Sequence, residues 1–239
     1  MSLFKGLAKI LFPHTCVLCA ERSDQSRDMC IECEKKLPWT HSVCKQCGLH
    51  LPSGTDTDIC GHCQQKTPQF DRVLALCDYA DPIDRLITAA KFNQKLVYTR
   101  LLGELLAKQV TQKWYQSQPM PSLIVPVPLH DARIKARGYN QSVEIAKIVS
   151  KKLHLPFSFD ICKRNKATLA QSGLTHAERE KNMKNAFTLR STSIASHVAI
   201  IDDIVTTGHT VGELSKQLRA AGVKQIDVWC CARTQRDKG

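Results

Sequence analysis

A chain of 239 residues is long enough for one complete α/β domain and one smaller unit, since domains usually take roughly 100 to 200 residues. No apolar run approaches the roughly 18 residues of a membrane-spanning helix, so we expect no membrane insertion and a cytoplasmic location. The net charge of +12 arises mainly in residues 67–239, which contain 26 Lys and Arg against 15 Asp and Glu. Such a basic surface favours polyanions, either pyrophosphate-bearing substrates or nucleic acid.

Residues 2–12 are basic and apolar, as in a signal peptide, but Lys9 interrupts the apolar run. No small-residue cleavage site follows before Cys16. We therefore expect a short amphipathic helix that ends at Pro13.

Eight of the twelve cysteines form four Cys-x-x-Cys pairs, which is the spacing of metal ligands rather than of disulfides. The pairs are Cys16/Cys19, Cys30/Cys33, Cys44/Cys47 and Cys60/Cys63. Two pairs close one tetrahedral site, in which four thiolates leave no open position for catalysis. Because this region has few apolar residues, metal binding must supply folding free energy. We predict a zinc-ribbon domain over residues 1–66 that holds two structural Zn²⁺ ions.

The spacing leaves two pairings of these cysteines open. Sequential pairing joins the first two Cys-x-x-Cys pairs in one site and the last two in another, which gives two stacked zinc ribbons. Interleaved pairing is less favoured, but spacing alone does not exclude it. The remaining cysteines lie in or beside apolar runs and are predicted to be small core residues: Cys77, Cys162, Cys230 and Cys231.

Long apolar periodicities begin near Asp71, after a polar linker over residues 64–69, and indicate an α/β domain over residues 67–239. The predicted elements are, in chain order, a strand over 73–79, helices over 83–90 and 96–110, a strand over 123–127, a helix over 140–152, and strands over 157–162, 198–201 and 225–231.

The strand over 123–127 leads into a proline-containing turn and then into three cations, Arg133, Lys135 and Arg137. Three cations spaced two apart cannot share one helix face, so we expect them to crowd a loop. A loop at the carboxyl end of a parallel strand favours ligand contact, and a solvated basic turn is the alternative.

The segment 163–187 is polar and basic without strong periodicity, and it includes Arg164 and Arg179. We predict a mobile loop followed by one short helix. Such a loop can close over a bound pyrophosphate or contact nucleic acid, and the sequence does not separate these roles.

The apolar run over 198–201 predicts a strand buried on both faces, which stops at Asp202 and Asp203. A loop rich in Thr and Gly then leads to a helix from Val211, so that N–H groups, hydroxyls and the positive end of the helix dipole surround one phosphate. The residues of this phosphate loop are Thr206, Thr207, Gly208 and Thr210. The two carboxylates suit a vicinal diol or Mg²⁺, so the expected ligand is a sugar phosphate.

This order of an apolar strand, an acidic pair and a Thr-Thr-Gly-x-Thr loop resembles the phosphoribosyltransferase signature, which binds 5-phosphoribosyl-1-pyrophosphate (PRPP). The resemblance implies a type I phosphoribosyltransferase-like fold, with a parallel sheet flanked by helices. It also implies that Asp202 and Asp203 hold the ribose hydroxyls while the phosphate loop wraps the 5-phosphate. Arg137, Arg164 and Arg179 are further candidate PRPP ligands, any of which could neutralise the pyrophosphate together with Mg²⁺.

Several further motifs accompany the four Cys-x-x-Cys pairs: PVPLH (126–130), RGYNQS (137–142), RNKATLAQSGL (164–174), AEREKN (177–182) and IIDDIVTTGHT (200–210). Together they resemble the ComF family, also called ComFC or GntX-like, over nearly the whole chain. The resemblance implies a cytoplasmic role in natural transformation, in which the protein handles incoming single-stranded DNA with a helicase partner.

Three functions stay open at this point. The favoured one is a protein that binds PRPP and single-stranded DNA without necessarily turning over. The second is an active phosphoribosyltransferase that acts on an unknown acceptor, for which the sequence offers no recognisable pocket. In the third, the fold is a relic and the zinc ribbons are an interaction module.

Overall fold

The computed structural model describes residues 14–23, 25–54, 56–92, 96–166, 185–191 and 194–235. The predicted helix over 2–12 lies outside the described residues. So does most of the predicted loop and short helix beyond residue 166, including Arg179.

The strands in the described residues are β1 (His14–Thr15), β2 (Arg22–Ser23), β3 (Arg72–Asp78), β4 (Leu123–Pro126), β5 (Cys162–Arg164), β6 (Phe187–Leu189), β7 (His197–Val205) and β8 (Gln225–Arg233). The helices are α1 (Ile31–Lys35), α2 (Gly61–Gln65), α3 (Ile83–Phe92), α4 (Leu96–Gln109), α5 (Asp131–Arg137), α6 (Gln141–Leu153) and α7 (His209–Ala220). A π-helical turn, Val110–Trp114, continues α4.

A parallel sheet in the order β3-β8-β7-β4 forms the centre of the protein. In this register Val198 of β7 lies opposite Leu123 of β4 and Ile226 of β8. Two buried apolar clusters pack on the sheet: Ile201 joins the cluster that includes α3, α4 and α6, while Ile200 joins the cluster that includes α7. Successive side chains of a strand point to opposite faces, so the continuous apolar run is buried on both sides. The predicted α/β class is confirmed.

β7 is longer than the apolar run predicted. We expected the strand to stop at Asp202, but it pairs with β8 as far as Val205, which lies opposite Arg233. β8 also continues beyond the predicted end at residue 231. The strand extends because the ladder between β7 and β8 satisfies the backbone groups there, whatever the polarity of the side chains. The acidic pair therefore lies within the last residues of the strand rather than in a loop.

The predicted strand over 157–162 is wrong. Phe157 forms an isolated bridge with Ile124, and the hydroxyl of Ser158 hydrogen-bonds to Asp160, so the chain turns before β5 begins. β5 starts at Cys162 and pairs antiparallel with β6, outside the central sheet. The prediction of small core cysteines holds, since all four are buried: Cys77, Cys162, Cys230 and Cys231.

The N-terminal ribbon packs directly on the α/β sheet. Met29 and Leu37 belong to the same buried cluster as Leu76 of β3. The N–H of Val73 donates to the carbonyl of Gln46 at 2.9 Å. The ribbon and the α/β domain therefore share part of one hydrophobic core. The domain boundary between residues 66 and 67 stays a prediction.

The segment between the ribbon and the sheet differs in one respect from the predicted linker over 64–69, because α2 extends to Gln65.

Within the described parts of the chain, we find no helix that is long and apolar enough to cross a membrane.

Candidate functional site

A cavity of about 250 Å³ opens at the carboxyl ends of β4 and β7, the edge at which open parallel sheets bind ligands. We call it the main cavity. The predicted site residues that line it are Asp202, Asp203, Thr206, Gly208, Thr210, Arg137 and Arg164. Thr207 instead lines a second cavity on the other side of the phosphate loop, and Arg179 lies outside the described residues.

The two carboxylates of the main cavity have different environments. Asp202 is 9% exposed, and its Oδ1 accepts hydrogen bonds from the hydroxyl of Ser142 at 3.1 Å and from the N–H of Asp203 at 3.0 Å. Burial, and then the charge of Asp203, raise the pKa of Asp202 to about 7. Asp203 Oδ2 lies 3.0 Å from Lys91 Nζ at the end of α3. One carboxylate is therefore paired with a cation, while the other is held in a site that penalises its charge.

The cations Arg133, Lys135 and Arg137 lie on α5 and not in a loop, which corrects the prediction. Arg133 and Arg137 are one helical turn apart, so both reach the main cavity, while Lys135 is exposed. The helix forms because the ring Nδ1 of His130 accepts from the N–H of Ala132 at its start, and Gly138, with φ of 86°, ends it.

A third guanidinium reaches the main cavity from β5. Arg164 is only 4% exposed. Burial, and then repulsion from Arg133, lower the pKa of Arg164 to about 10, and burial with repulsion from Arg137 lowers the pKa of Arg133. These groups repel one another where burial weakens screening by water, so an anion bound between them would relieve an unfavourable interaction.

The phosphate loop joins β7 to the N-terminus of α7. Gly208 is the N-cap of α7 and has φ of 83°, a left-handed conformation that glycine adopts without a steric penalty. The guanidinium of Arg233 donates to the carbonyl of Val205 at 2.9 Å and to the carbonyl of Thr206, which fixes the start of the loop. The first N–H groups of α7 are therefore directed toward one side of the main cavity.

The start of α6 lies against the same cavity. Asn140 caps this helix, since its Oδ1 accepts from the N–H of Ser142 at 3.0 Å. Gln141 lines the cavity and is 2% exposed; its Oε1 accepts from Arg137 Nη1 at 2.9 Å, and its Nε2 has no partner within the described residues. A buried amide donor without a partner is costly, so it is suited to donate to a ligand oxygen.

The main cavity therefore combines two carboxylates, three guanidiniums and the amino ends of two helices. Carboxylates accept from sugar hydroxyls or bind Mg²⁺. Guanidiniums and helix N-termini bind phosphate oxygens. This set of donors and acceptors suits a ligand that combines hydroxyls with phosphate groups.

The eight paired cysteines form two clusters, and their grouping is sequential. The first cluster is Cys16, Cys19, Cys30 and Cys33, and the second is Cys44, Cys47, Cys60 and Cys63. Within each cluster the sulfur atoms lie within 4.8 Å of one another. The Sγ atoms of Cys19 and Cys30 are 3.8 Å apart, which matches the edge of about 3.8 Å of a tetrahedron with Zn–S bonds of about 2.3 Å.

The electrostatics of these thiols also fit a cation. Although burial opposes ionisation, N–H groups lower the pKa of Cys16 to about 6 and that of Cys44 to about 7. Burial and the neighbouring sulfurs raise the pKa of Cys33 and of Cys63 well above their usual values. Four adjacent thiols cannot all ionise without a positive ion between them, so the donor set fits Zn²⁺.

Comparisons with known proteins match two parts of the chain to known domain families. Residues 7–64 match the model of the double zinc ribbon domain, and residues 139–239 match that of the phosphoribosyl transferase domain. The DNA utilization protein YhgH of Escherichia coli K12 is 35% identical over 212 residues, which are 86% of this chain and 90% of that protein. Competence protein F of Haemophilus influenzae is 34% identical over 227 residues, which cover 93% of this chain and 98% of that protein.

The chain belongs to the family of these two proteins. The predicted membership of the ComF family is confirmed, and so is the combination of a double zinc ribbon with a phosphoribosyltransferase-like parallel sheet. Among solved structures, the adenine phosphoribosyltransferase of Leishmania tarentolae is similar over 68% of this chain and 76% of that one, at 14% identity and a TM-score of 0.38.

The residues of the main cavity that sequence reasoning on this ComF-family chain missed include Lys91, Gln141 and Ser142. Gln141 and Ser142 stand in the RGYNQS motif, directly after the cations, and a cap at Asn140 was the signal that could have directed them to the cavity. Lys91 lies 112 residues before Asp203 on a helix of ordinary composition, and we see no sequence signal for it.

Proposed function

We propose that this ComF-family protein binds PRPP with Mg²⁺ in the main cavity and handles incoming single-stranded DNA in the cytoplasm during natural transformation. The observation that carries the proposal is the meeting of the acidic pair, the phosphate loop and three guanidiniums in one cavity at the end of β7.

The chemistry of the main cavity supports a pentose with phosphates at both ends. The 5-phosphate would accept hydrogen bonds from the N–H groups and hydroxyls of the phosphate loop and from the first N–H groups of α7. Asp202 and Asp203 would accept hydrogen bonds from the ribose hydroxyls. The pyrophosphate would lie against Arg137 and Arg164, and Arg179 is proposed as a further ligand. Mg²⁺, which prefers oxygen ligands, would neutralise the pyrophosphate beside the acidic pair.

Relatives and charge support the part of the proposal that concerns DNA. The two relatives named above are a DNA utilization protein and a competence protein. Residues 67–239 contain 26 Lys and Arg against 15 Asp and Glu, which favours contact with a phosphate backbone. A helicase that acts on the incoming strand is the proposed partner.

A second candidate function is an active phosphoribosyltransferase that transfers the phosphoribosyl group to an unknown acceptor. The match of residues 139–239 to the phosphoribosyl transferase domain favours it. Displacement of pyrophosphate from C1 of the ribose passes through a transition state resembling an oxocarbenium ion, as in other glycosyl transfers. The protein would position the sugar and stabilise the leaving group through Arg137 and Arg164. Release of pyrophosphate in the presence of a candidate acceptor would establish turnover.

Two titrations of the zinc-loaded full chain test the proposal. Calorimetry with PRPP should give binding that requires Mg²⁺. Fluorescence anisotropy with a labelled single-stranded oligonucleotide should give an affinity that falls steeply as salt rises. Absence of PRPP binding would overturn the assignment of the main cavity, and absence of oligonucleotide binding would overturn the DNA role.

A further inference from the structure

A second cavity, of about 260 Å³, lies between the second cysteine cluster and α7. We call it the ribbon cavity, and it is lined among others by Leu49, Pro68, Phe70, Gly212 and Lys216. It is smaller than the roughly 300–1,000 Å³ of pockets for drug-sized ligands, so it suits a single ring system rather than a peptide segment. The main cavity shares Gly208 and His209 with it, so the phosphate loop forms a common wall.

Gly212 gives the ribbon cavity a flat wall. It lies inside α7, where glycine is the least favourable residue apart from proline. A Cβ added at Gly212 would meet no atom within 4 Å, so close packing does not require glycine at this position. An open helix surface without a side chain does allow a planar ligand to approach the backbone closely.

The other walls combine apolar surface with two lysines and one carboxylate, that of Glu213, whose Oε1 accepts from the N–H of Asn185. Phe70 is buried and its ring end lies 3.8 Å from the position of a Cβ on Gly208, while Leu49 and Pro68 add apolar area. Lys66 and Lys216 are at the rim of the cavity. An apolar slot beside cations is complementary to a ring that carries a phosphate next to it.

We propose that the ribbon cavity takes one base of single-stranded DNA, laid against Gly212 and Phe70, with the adjoining phosphates near Lys66 and Lys216. This inference rests on the proposed DNA role and names the surface that performs it. The second zinc ribbon, through Leu49 and its neighbours, would then form one side of a base-binding slot rather than serve only to stabilise the fold.

Filling the slot tests the proposal. In Gly212→Leu the side chain enters the ribbon cavity, and affinity for a single-stranded oligonucleotide at fixed salt should fall about tenfold, the size expected for one lost base contact. The melting temperature should not fall, since leucine favours a helix more than glycine does. Gly212→Ala should show a smaller loss of affinity. Ala220→Leu places the same leucine side chain at an exposed position of α7 and should bind as the wild type does.

Two further readouts distinguish a base from a backbone contact. A 2-aminopurine in the oligonucleotide should change its emission with the wild type and not with Gly212→Leu, and an abasic oligonucleotide should bind the wild type as weakly as the intact one binds the variant. Equal affinity of wild type and Gly212→Leu for the intact strand, or of the wild type for intact and abasic strands, would overturn the base slot while leaving the DNA role intact. A wild type that binds no oligonucleotide would overturn both. Gly212→Leu should also bind PRPP as tightly as the wild type, which would show that the substitution does not disturb the main cavity.

Discussion

Arg233 donates a hydrogen bond from Nε to the carbonyl oxygen of Cys47 at 2.9 Å. The same guanidinium donates from Nη1 to Val205 and Thr206, at the start of the phosphate loop. The side chain is buried at the end of β8. A single residue therefore links the second cysteine cluster to the loop that forms one wall of the main cavity.

Arg233→Met should destabilise both ends of this link. The substitution removes the donor to the carbonyls of Cys47 and Thr206, while the carbonyl of Val205 keeps the N–H of Thr234. We therefore expect the free energy of unfolding to fall by about 3 kcal/mol. Zinc should also leave the chain faster when a chromogenic chelator is added. Urea unfolding and chelator kinetics measure the two effects. Arg85→Met, which removes an exposed arginine that pairs with Asp81, is the control and should change neither quantity. Unfolding and zinc release like the wild type would contradict the link.

Removal of both charges of the acidic pair should abolish Mg²⁺-dependent PRPP binding. In the variant with Asp202→Asn and Asp203→Asn, the amides keep the shape of the side chains but lose the anionic acceptors for the ribose hydroxyls and for Mg²⁺. Calorimetry should detect no PRPP binding, while circular dichroism should match the wild type. Asp131→Asn removes an exposed carboxylate of α5 and should retain the wild-type affinity. Unchanged PRPP affinity in the double variant would refute the assignment.

Asp202 should make the protein less stable as pH rises. Its pKa is raised from 3.8 to about 7 on folding, so the folded state binds a proton that the unfolded state has released. The resulting loss of stability begins near pH 4 and is complete above pH 7. At pH 8, the free energy of unfolding of Asp202→Asn should be higher than that of the wild type by roughly 2–4 kcal/mol, taking about 1.4 kcal/mol per pKa unit. Near pH 4 the difference should vanish. Chemical denaturation at both pH values measures this difference. A difference between variant and wild type that is the same at pH 4 and pH 8 would contradict the raised pKa.

The sequence predicted those parts of the site that are contiguous in the chain. The acidic pair at the end of β7 and the phosphate loop together span nine residues, and each Cys-x-x-Cys pair is local, so spacing alone identified them. Sequential grouping of the cysteines needed the structure, because both pairings satisfy the same spacing.

The sequence did not predict the parts that tertiary packing brings together. We predicted a loop in place of α5 because we treated Arg133, Lys135 and Arg137 as one set, which cannot share a helix face. Arg133 and Arg137 alone are one helical turn apart, and Gly138 is a typical residue for the end of a helix. Lys91 reaches Asp203 only because α3 packs beside the end of β7. The end of β7 itself was set by pairing with β8 and not by apolar side chains.

Metal analysis should find two Zn²⁺ per chain. Each cluster offers four sulfurs at tetrahedral spacing, so Cys33→Ser and Cys63→Ser should each reduce the content to about one. Chelation should unfold residues 1–66 first, which hydrogen exchange can follow. Because Met29 and Leu37 share a buried cluster with Leu76, we expect the melting temperature of the remaining domain to fall as well. A content near one zinc in the wild type would contradict the assignment of two structural sites.

A buried polar network at the opposite end of the sheet offers a test of stability that is separate from ligand binding. Asp227 of β8 is fully buried and accepts two hydrogen bonds from Arg72, at 2.8 and 2.9 Å, as well as a contact of 2.8 Å with His197. Burial opposes the charge of Asp227, but Arg72, then Tyr115 and His197, lower its pKa. Its contribution is therefore present above the unfolded pKa and is lost as pH falls.

Asp227→Asn should reduce the free energy of unfolding at pH 7 by about 3 kcal/mol, because it leaves the half-buried Arg72 beside a neutral amide. The loss should shrink as pH falls from the unfolded pKa of the aspartate toward its lower folded pKa, at which the folded wild type also loses the charge. PRPP affinity should not change, because the residue lies at the amino end of the strands and outside the main cavity. Urea unfolding at two pH values and calorimetry measure these quantities. A fall in PRPP affinity without a fall in stability would show that the network acts on the main cavity rather than on the fold.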